Sequence, residues 1–243
     1  MIVFMYQNRQ VHVTHARQEY QSRVHRQLSA HASTALFFCR IISDKTQLVQ
    51  VCTEYLSDFN ATSKKPMNLV LFSFALEHIV RICRVIKLPG GNALLVGLGG
   101  SGRQSLTRLA AFMEEYEVFQ IEVSKQYGKT EWHEDLRKVI RMSGELNKQV
   151  VFLFSDTQIQ SEGFVEDISN ILNTYEVPNL LQPGDLAAVF ENIRGRAKTA
   201  GMDGSRDALY SFFTQVRDSV GSVSTVGLLQ NHKDIYKING YLN

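Results

Sequence analysis

Apolar residues recur along this chain at helical and strand-like spacings that alternate. In residues 44–60, Leu48, Val51, Cys52, Tyr55, Leu56 and Phe59 share one helical face behind Asp44, a capping candidate. A polar break runs from Asn60 to Pro66. From Asn68 to Lys87 apolar residues lie almost all round a helix, which predicts a deeply packed one. His78 and Arg81 are its few polar interruptions, and His78 reads as a core-edge histidine rather than a ligand. Pro89-Gly90-Gly91 ends it and leads into an apolar strand, Ala93 to Val96. A helix follows at about 102–115, then an alternating strand at 117–123 and a loop at Tyr127-Gly128. Residues 130–146 predict a helix with Trp132, Leu136, Val139, Ile140 and Leu146 inward; Trp132 reads as core. VVFLFS at 150–155 is a continuous apolar run, as expected of a parallel strand buried on both faces. Helices are predicted at 163–174, 184–199 and 205–218, separated by Pro178, Pro183-Gly184 and Gly201. This alternation predicts a three-layer α/β fold with a mainly parallel sheet and helices ahead of its first strand. No internal repeat or low-complexity tract interrupts it.

Composition narrows the class without changing that picture. With 243 residues, 44% hydrophobic and 21% charged, the chain can bury one substantial core. A formal charge of +2 gives no reason to expect nucleic acid or a membrane surface as partner, and no apolar run approaches a membrane span. Cys39, Cys52 and Cys83 are widely spaced and form no C-x-x-C pair, so they read as reduced thiols of a cytosolic protein. The first forty residues are unusual in holding Arg9, Arg17, Arg23, Arg26 and Arg40 against the single acid Glu19, together with His12, His15, His25 and His31. A solvated basic helix, a mitochondrial transit segment, or a metal pair from His12 and His15 are the readings open there.

The chemistry concentrates at NALLVGLGGSGRQSLTRL, residues 92–109, which reads as strand, glycine-rich turn and helix. From Gly97 to Gly102 the frame is G-x-x-x-x-G, the opening of a P-loop. Gly97, Gly99, Gly100 and Gly102 permit close backbone approach, so successive N–H groups around Ser101 can form an anion-binding nest. The following helix aims its positive end at the same point, and a nucleoside polyphosphate is the natural occupant. A hydrolytic P-loop continues Lys-Ser or Lys-Thr, whereas this one continues Arg103-Gln104. Arg103 keeps a positive charge; Gln104 has no hydroxyl for magnesium, and Ser105 stands about 100° further round the helix. The strand at 150–155 ends in Asp156-Thr157. Such a terminal Asp holds magnesium in P-loop enzymes. Hydrolytic AAA+ proteins place a Glu next, as the base that orients the attacking water. A threonine hydroxyl cannot take that proton, and losing a general base costs about 10²–10⁴ in rate. Glu162 and Glu166 are the nearest acids, and both lie beyond the strand end.

Together PMNLVLF at 66–72, RICRVI, GNALLVGLGGSGRQSLTRLAA at 91–111, EWHEDL, FLFSDTQI at 152–159 and FVEDISNILNTYEVPNL at 164–180 resemble the fourth AAA+ module of an axonemal dynein heavy chain. The resemblance covers about residues 44–217 and implies the large subdomain of a P-loop NTPase, one of six modules in a ring that drives ciliary beating along microtubules. It implies a phosphate loop of Gly97, Gly99, Gly100, Ser101, Gly102, Arg103, Gln104 and Ser105, with Asp156 as the magnesium-side acid. ATP or ADP with Mg²⁺ would be the ligands, and neighbouring AAA+ modules the partners. Microtubules would be reached only through the full-length motor, in the cytoplasm, cytoskeleton and ciliary axoneme. The implied function is regulatory nucleotide binding with little or no hydrolysis; a weak ATPase and a vestigial interaction fragment are the alternatives. In the family a fourth strand carrying the γ-phosphate sensor follows the helix at 205–218, and then a fifth strand and a helical lid. Residues 218–243 contain Gly221, Gly227 and Gly240 and no run of four apolar residues. They read as a divergent tail that leaves the sheet incomplete and one edge open, and residues 1–43 as a separate basic segment. On this reading the chain is a truncated module, without linker, stalk or main ATPase module.

Overall fold

A computed structural model describes residues 2–6, 9–11, 45–88, 91–174, 176–219 and 223–229. In chain order the elements are β1 (Ile2–Tyr6), β2 (Arg9–Val11), α1 (Lys45–Thr62), α2 (Ser73–Lys87) and β3 (Asn92–Val96). Then come α3 (Arg103–Met113), β4 (Glu117–Phe119), α4 (Lys129–Gly144), β5 (Val150–Ser155) and a 3₁₀ turn (Asp156–Gln158). The described chain closes with α5 (Glu162–Thr174), α6 (Pro183–Thr199), α7 (Arg206–Ser219) and β6 (Val223–Leu229). They build one sheet of order β2-β1-β3-β6-β5-β4. Its β3, β6, β5 and β4 are parallel, while β1 lies antiparallel to β3.

The period of two along β5 shows why the fold has three layers. Val150, Phe152 and Phe154 enter one core with Trp132, Leu136, Phe164, Ile193 and Phe213 from α4, α5, α6 and α7. Val151 and Leu153 enter a second core with Ile79, Ile82, Ile86 and Leu109 from α2 and α3. All six residues of β5 are buried, and the apolar run from Val150 to Phe154 suits a strand covered on both faces.

Several local expectations are corrected. The helix expected from residue 68 begins at Ser73, and Val70, Phe72 and Phe74 are 81%, 58% and 59% exposed. Asn60 holds the preceding stretch extended: its Nδ2 donates to the Met67 carbonyl at 2.9 Å and its Oδ1 accepts from the Met67 N–H at 2.7 Å. Leu146, expected inward, is 57% exposed because α4 stops at Gly144. There the Phe213 ring takes the space of a side chain: a Cβ on Gly144 would lie 2.3 Å from it. The strand expected over 117–123 pairs only through Phe119, and the carbonyl of Ile121 is met instead by the Gln158 side chain. Residues 2–6 and 9–11 are strands, where a basic helix was one reading. His12, His15, Cys39 and Asp44 lie outside the described residues. Cys52 and Cys83 are free and buried, and burial pushes both thiols up, which keeps them protonated and inert.

The largest correction concerns residues 218–243. No strand was expected there, yet β6 runs through the middle of the sheet between β3 and β5. Its register sets Ala93 opposite Val226 and Val96 opposite Leu229 on one side, and Val150 opposite Val223 and Ser155 opposite Leu228 on the other. Gly227, which weighed against a strand, stands between Leu94 and Phe154. A Cβ there would lie 3.0 Å from Leu94 Cδ1, so a larger residue would require that side chain to shift by a few tenths of an ångström. The expected open edge beside β3 and β5 does not exist.

One charged cluster ties the far ends of α4 and α6 together. Glu145 accepts from Arg141 Nε at 2.6 Å and from Asn192 Nδ2 at 2.6 Å, and Arg196 caps the Gly144 and Glu145 carbonyls. The Arg141 hydrogen bond, helped by Asn192, holds the Glu145 carboxyl below the usual range. A carboxylate with a depressed folded-state pKa stabilises above its unfolded value and loses that contribution as the pH falls through its folded one. Stability should therefore decline as the pH drops below about 4.3, the ordinary glutamate value. Glu145→Gln should flatten that part of the curve of unfolding midpoint against pH.

Candidate nucleotide site

Parallel strands place their carboxyl ends along one edge of the sheet, and the glycine loop and Asp156 both emerge there. The loop leaves β3 after Val96, and Asp156 follows Ser155 at the end of β5. Between them runs β6, with Leu229 opposite Val96 and Leu228 opposite Ser155. In open α/β sheets the crevice outside the strand carboxyl ends is where ligands bind.

The loop closes on itself, with the Ser101 N–H donating to the Leu98 carbonyl at 3.3 Å. Gly100 and Gly102 adopt φ of 78° and 75°, which side-chain-bearing residues rarely take. Gly102 is the N-cap of α3, and no side chain caps that helix. The first N–H groups of a helix point outward along its axis, so this terminus suits a phosphate oxygen. Gly99, Gly100, Ser101 and Gln104 are exposed, Gly97 and Ser105 half-buried. Arg103 does not extend away from the loop. Its Nη1 donates to the Leu95 carbonyl at 3.3 Å and its Nη2 to the Leu98 carbonyl at 3.1 Å, bridging strand end and loop. Its stem passes Gly97, where a Cβ would lie 3.6 Å from Arg103 Cδ and 3.3 Å from Ser101 Oγ.

At the end of β5, Asp156 is half-buried and its Oδ1 accepts the Thr157 N–H at 2.9 Å. Thr157 is exposed. The pattern reading passed over Gln158, which organises this turn. Its Oε1 accepts the Ser155 N–H at 2.8 Å, and its Nε2 donates to the Ile121 carbonyl at 2.7 Å. One amide thus satisfies two buried backbone groups and pins the end of β5 to the segment after β4. As the third of three polar residues after β5, in Asp156-Thr157-Gln158, it carries no local signal that sets it apart. Gln158→Leu should leave both groups unmet and cost about 2–4 kcal/mol, read as a lowered denaturant midpoint.

A magnesium ion would find one carboxylate here, Asp156. Among the described residues no group of three or more His, Cys, Asp or Glu side chains could hold a metal. That donor set still fits magnesium, which commonly takes one or two carboxylates and completes its shell with phosphate oxygens and water. Glu162 and Glu166 lie on α5, beyond the 3₁₀ turn. No helix among the described residues is long and apolar enough to cross a membrane.

A phosphate-type loop between the first parallel strand and its helix, with an acid two strands away on the same edge, defines the P-loop class of nucleotide-binding α/β folds. The family model of the P-loop-containing dynein motor region D4 matches residues 67–225, and the chain belongs to that family. It is 48% identical over 176 residues to dynein axonemal heavy chain 3 of Mus musculus and 49% identical over 171 residues to dynein axonemal heavy chain 6 of Homo sapiens. It is 47% identical over 175 residues to the dynein-1-beta heavy chain of the flagellar inner arm I1 complex of Chlamydomonas reinhardtii. These matches take in 72%, 70% and 72% of this chain, and each spans 4% of the relative's length.

Proposed function

We propose that this chain is a regulatory nucleotide-binding AAA+ module of an axonemal dynein heavy chain, which binds ATP or ADP with Mg²⁺ and hydrolyses little or none. The observation that carries the reading is the placing of the glycine loop and Asp156 on one sheet edge, flanking β6. Gly97, Gly99, Gly100, Ser101, Gly102, Arg103, Gln104 and Ser105 would hold the phosphates, chiefly through backbone N–H groups and the α3 terminus. Asp156 would hold the magnesium ion, which neutralises phosphate charge when bound. With Thr157 in place of a glutamate, that position supplies no group that can take a proton from water. Occupancy would then act as a signal to neighbouring modules of a ring. Microtubule contact would belong to the whole motor, in the cytoskeleton of the ciliary axoneme.

The Arg103 bridge favours one second reading, a loop that keeps its shape through its own side chain and serves as structure alone. Thermal unfolding with nucleotide separates the two. A ligand at 100 times its dissociation constant adds about 2.7 kcal/mol, so ATP or ADP with magnesium should raise the melting temperature. An unchanged melting curve at millimolar nucleotide would leave the structural reading standing. Robust ATP turnover, abolished in Asp156→Ala, would instead show a working ATPase.

A further inference from the structure

The hairpin of β1 and β2 stands apart from the rest of the chain. Residues 2–11 fall outside the stretch of 67–225 that the dynein motor family model matches. Residues 12–44 separate them from α1 in sequence. Among the described elements, the β1 backbone runs closely alongside β3 and β2, and no helix lies against it to a comparable extent. What attaches the hairpin is backbone pairing along one strand edge, with Ile2 opposite Leu95, Val3 opposite Leu94, Phe4 opposite Ala93 and Met5 opposite Asn92. On its other side β3 pairs with β6 from Ala93 to Val96, so β1 alone covers the outer row of N–H and C=O groups on a strand whose residues Asn92 to Leu95 are buried. An uncovered row of this kind is a template for another strand. The strands β3, β6, β5 and β4 are parallel, whereas β1 shows that this edge takes an antiparallel neighbour. Two β3 strands brought edge to edge about a two-fold axis perpendicular to them are antiparallel by symmetry.

We propose that the β1–β2 hairpin is a detachable guard over the outer edge of β3, and that this edge, once uncovered, pairs with the same edge of a second copy of the chain. A two-stranded hairpin has little stability of its own, and this one is held to the sheet along a single strand. Its opening is a local event that leaves β3, β6, β5, β4 and the cores around them in place. The guard thus decides between a monomer and a two-fold dimer whose sheet continues from one copy into the other.

Val3→Pro together with Phe4→Pro, made in the 243-residue chain, tests the guard. Neighbouring residues of an antiparallel strand direct their N–H groups to opposite sides, so this pair removes one donor facing β3 and one facing β2. In sedimentation the parent should be a monomer, and the variant should form a dimer of twice the mass as its concentration rises. A synthetic peptide of residues 2–11, added in excess, should return the variant to monomer, and the same peptide carrying both prolines should not. A variant that stays monomeric or assembles beyond a dimer overturns the proposal, as does a parent that is already dimeric. So does a dimer that the peptide leaves unchanged, because the association would then lie elsewhere. Loss of the variant's cooperative thermal transition overturns it too, since the hairpin would then be an integral part of the fold.

Discussion

Trp132→Ala should lower the unfolding free energy by about 3–5 kcal/mol, the range for truncating a buried large aromatic. Trp132 is 0% exposed and stacks on Phe164 at a centroid distance of 4.5 Å and an interplanar angle of 9°. Phe154 stands 5.4 Å from it. Its indole Nε1 donates to Asp167 Oδ2 at 2.8 Å, and the same oxygen meets His133 Nε2 at 3.2 Å. The substitution removes the largest side chain of this core and one of the two partners of a half-buried carboxylate. Trp132→Phe, which keeps most of the ring and loses only the N–H, should cost markedly less. Guanidinium titrations give the comparison: a lower midpoint at unchanged slope is expected, and equal midpoints for Trp132→Ala and the parent would refute it. The effect concerns the site as well, because Phe152 and Phe154 are residues of the strand that ends at Asp156.

Ending the chain after Ser219 should abolish cooperative folding altogether. It removes β6, which pairs with β3 from Ala93 to Val96 and with β5 from Val150 to Ser155. The backbone groups along both neighbours would lose their partners at once, in the most buried part of the sheet, and the glycine loop and Asp156 would no longer be held on one edge. Each such bond is worth about 0.5–1.5 kcal/mol net, and a buried group left unmet costs more. The sum rivals the whole stability of a domain, commonly about 5–15 kcal/mol. Calorimetry should show no cooperative transition in the shortened chain. A sharp transition near that of the parent would mean that β6 is dispensable.

Much of the architecture was legible before any coordinates. The β5 run VVFLFS has its observed bounds of 150–155, because a strand buried on both faces is apolar along its length, here from Val150 to Phe154 before Ser155 ends it. The helices at 163–174, 184–199 and 205–218 differ by a residue or so from those observed, since proline and glycine punctuate them. The glycine loop was legible for a local reason too: positive φ at Gly100 and Gly102 is a demand that the loop makes on its own residues. Gln158 and the Arg103 bridge were not. A glutamine after a strand, or an arginine after a glycine turn, fits many roles until the backbone groups it can reach are known. Here those are the carbonyls of Ile121, Leu95 and Leu98.

The sequence by itself determined the α/β class, the phosphate-type loop with its departures at Arg103 and Gln104, the acid at the end of β5, and the absence of a glutamate after it. These are properties of contiguous residues, where propensity, period and turn chemistry act within a few positions of one another. Only the tertiary structure decided the fate of Val223–Leu229. Taken alone, VSTVGLL is too short of apolar side chains and too rich in small ones to read as a central strand. Between β3 and β5, Gly227 sits close against Leu94, and two neighbouring strands satisfy a backbone that has no partner within its own segment. A β-strand's stability comes from partners far away in sequence, and for this strand they begin at Ala93 and Val150.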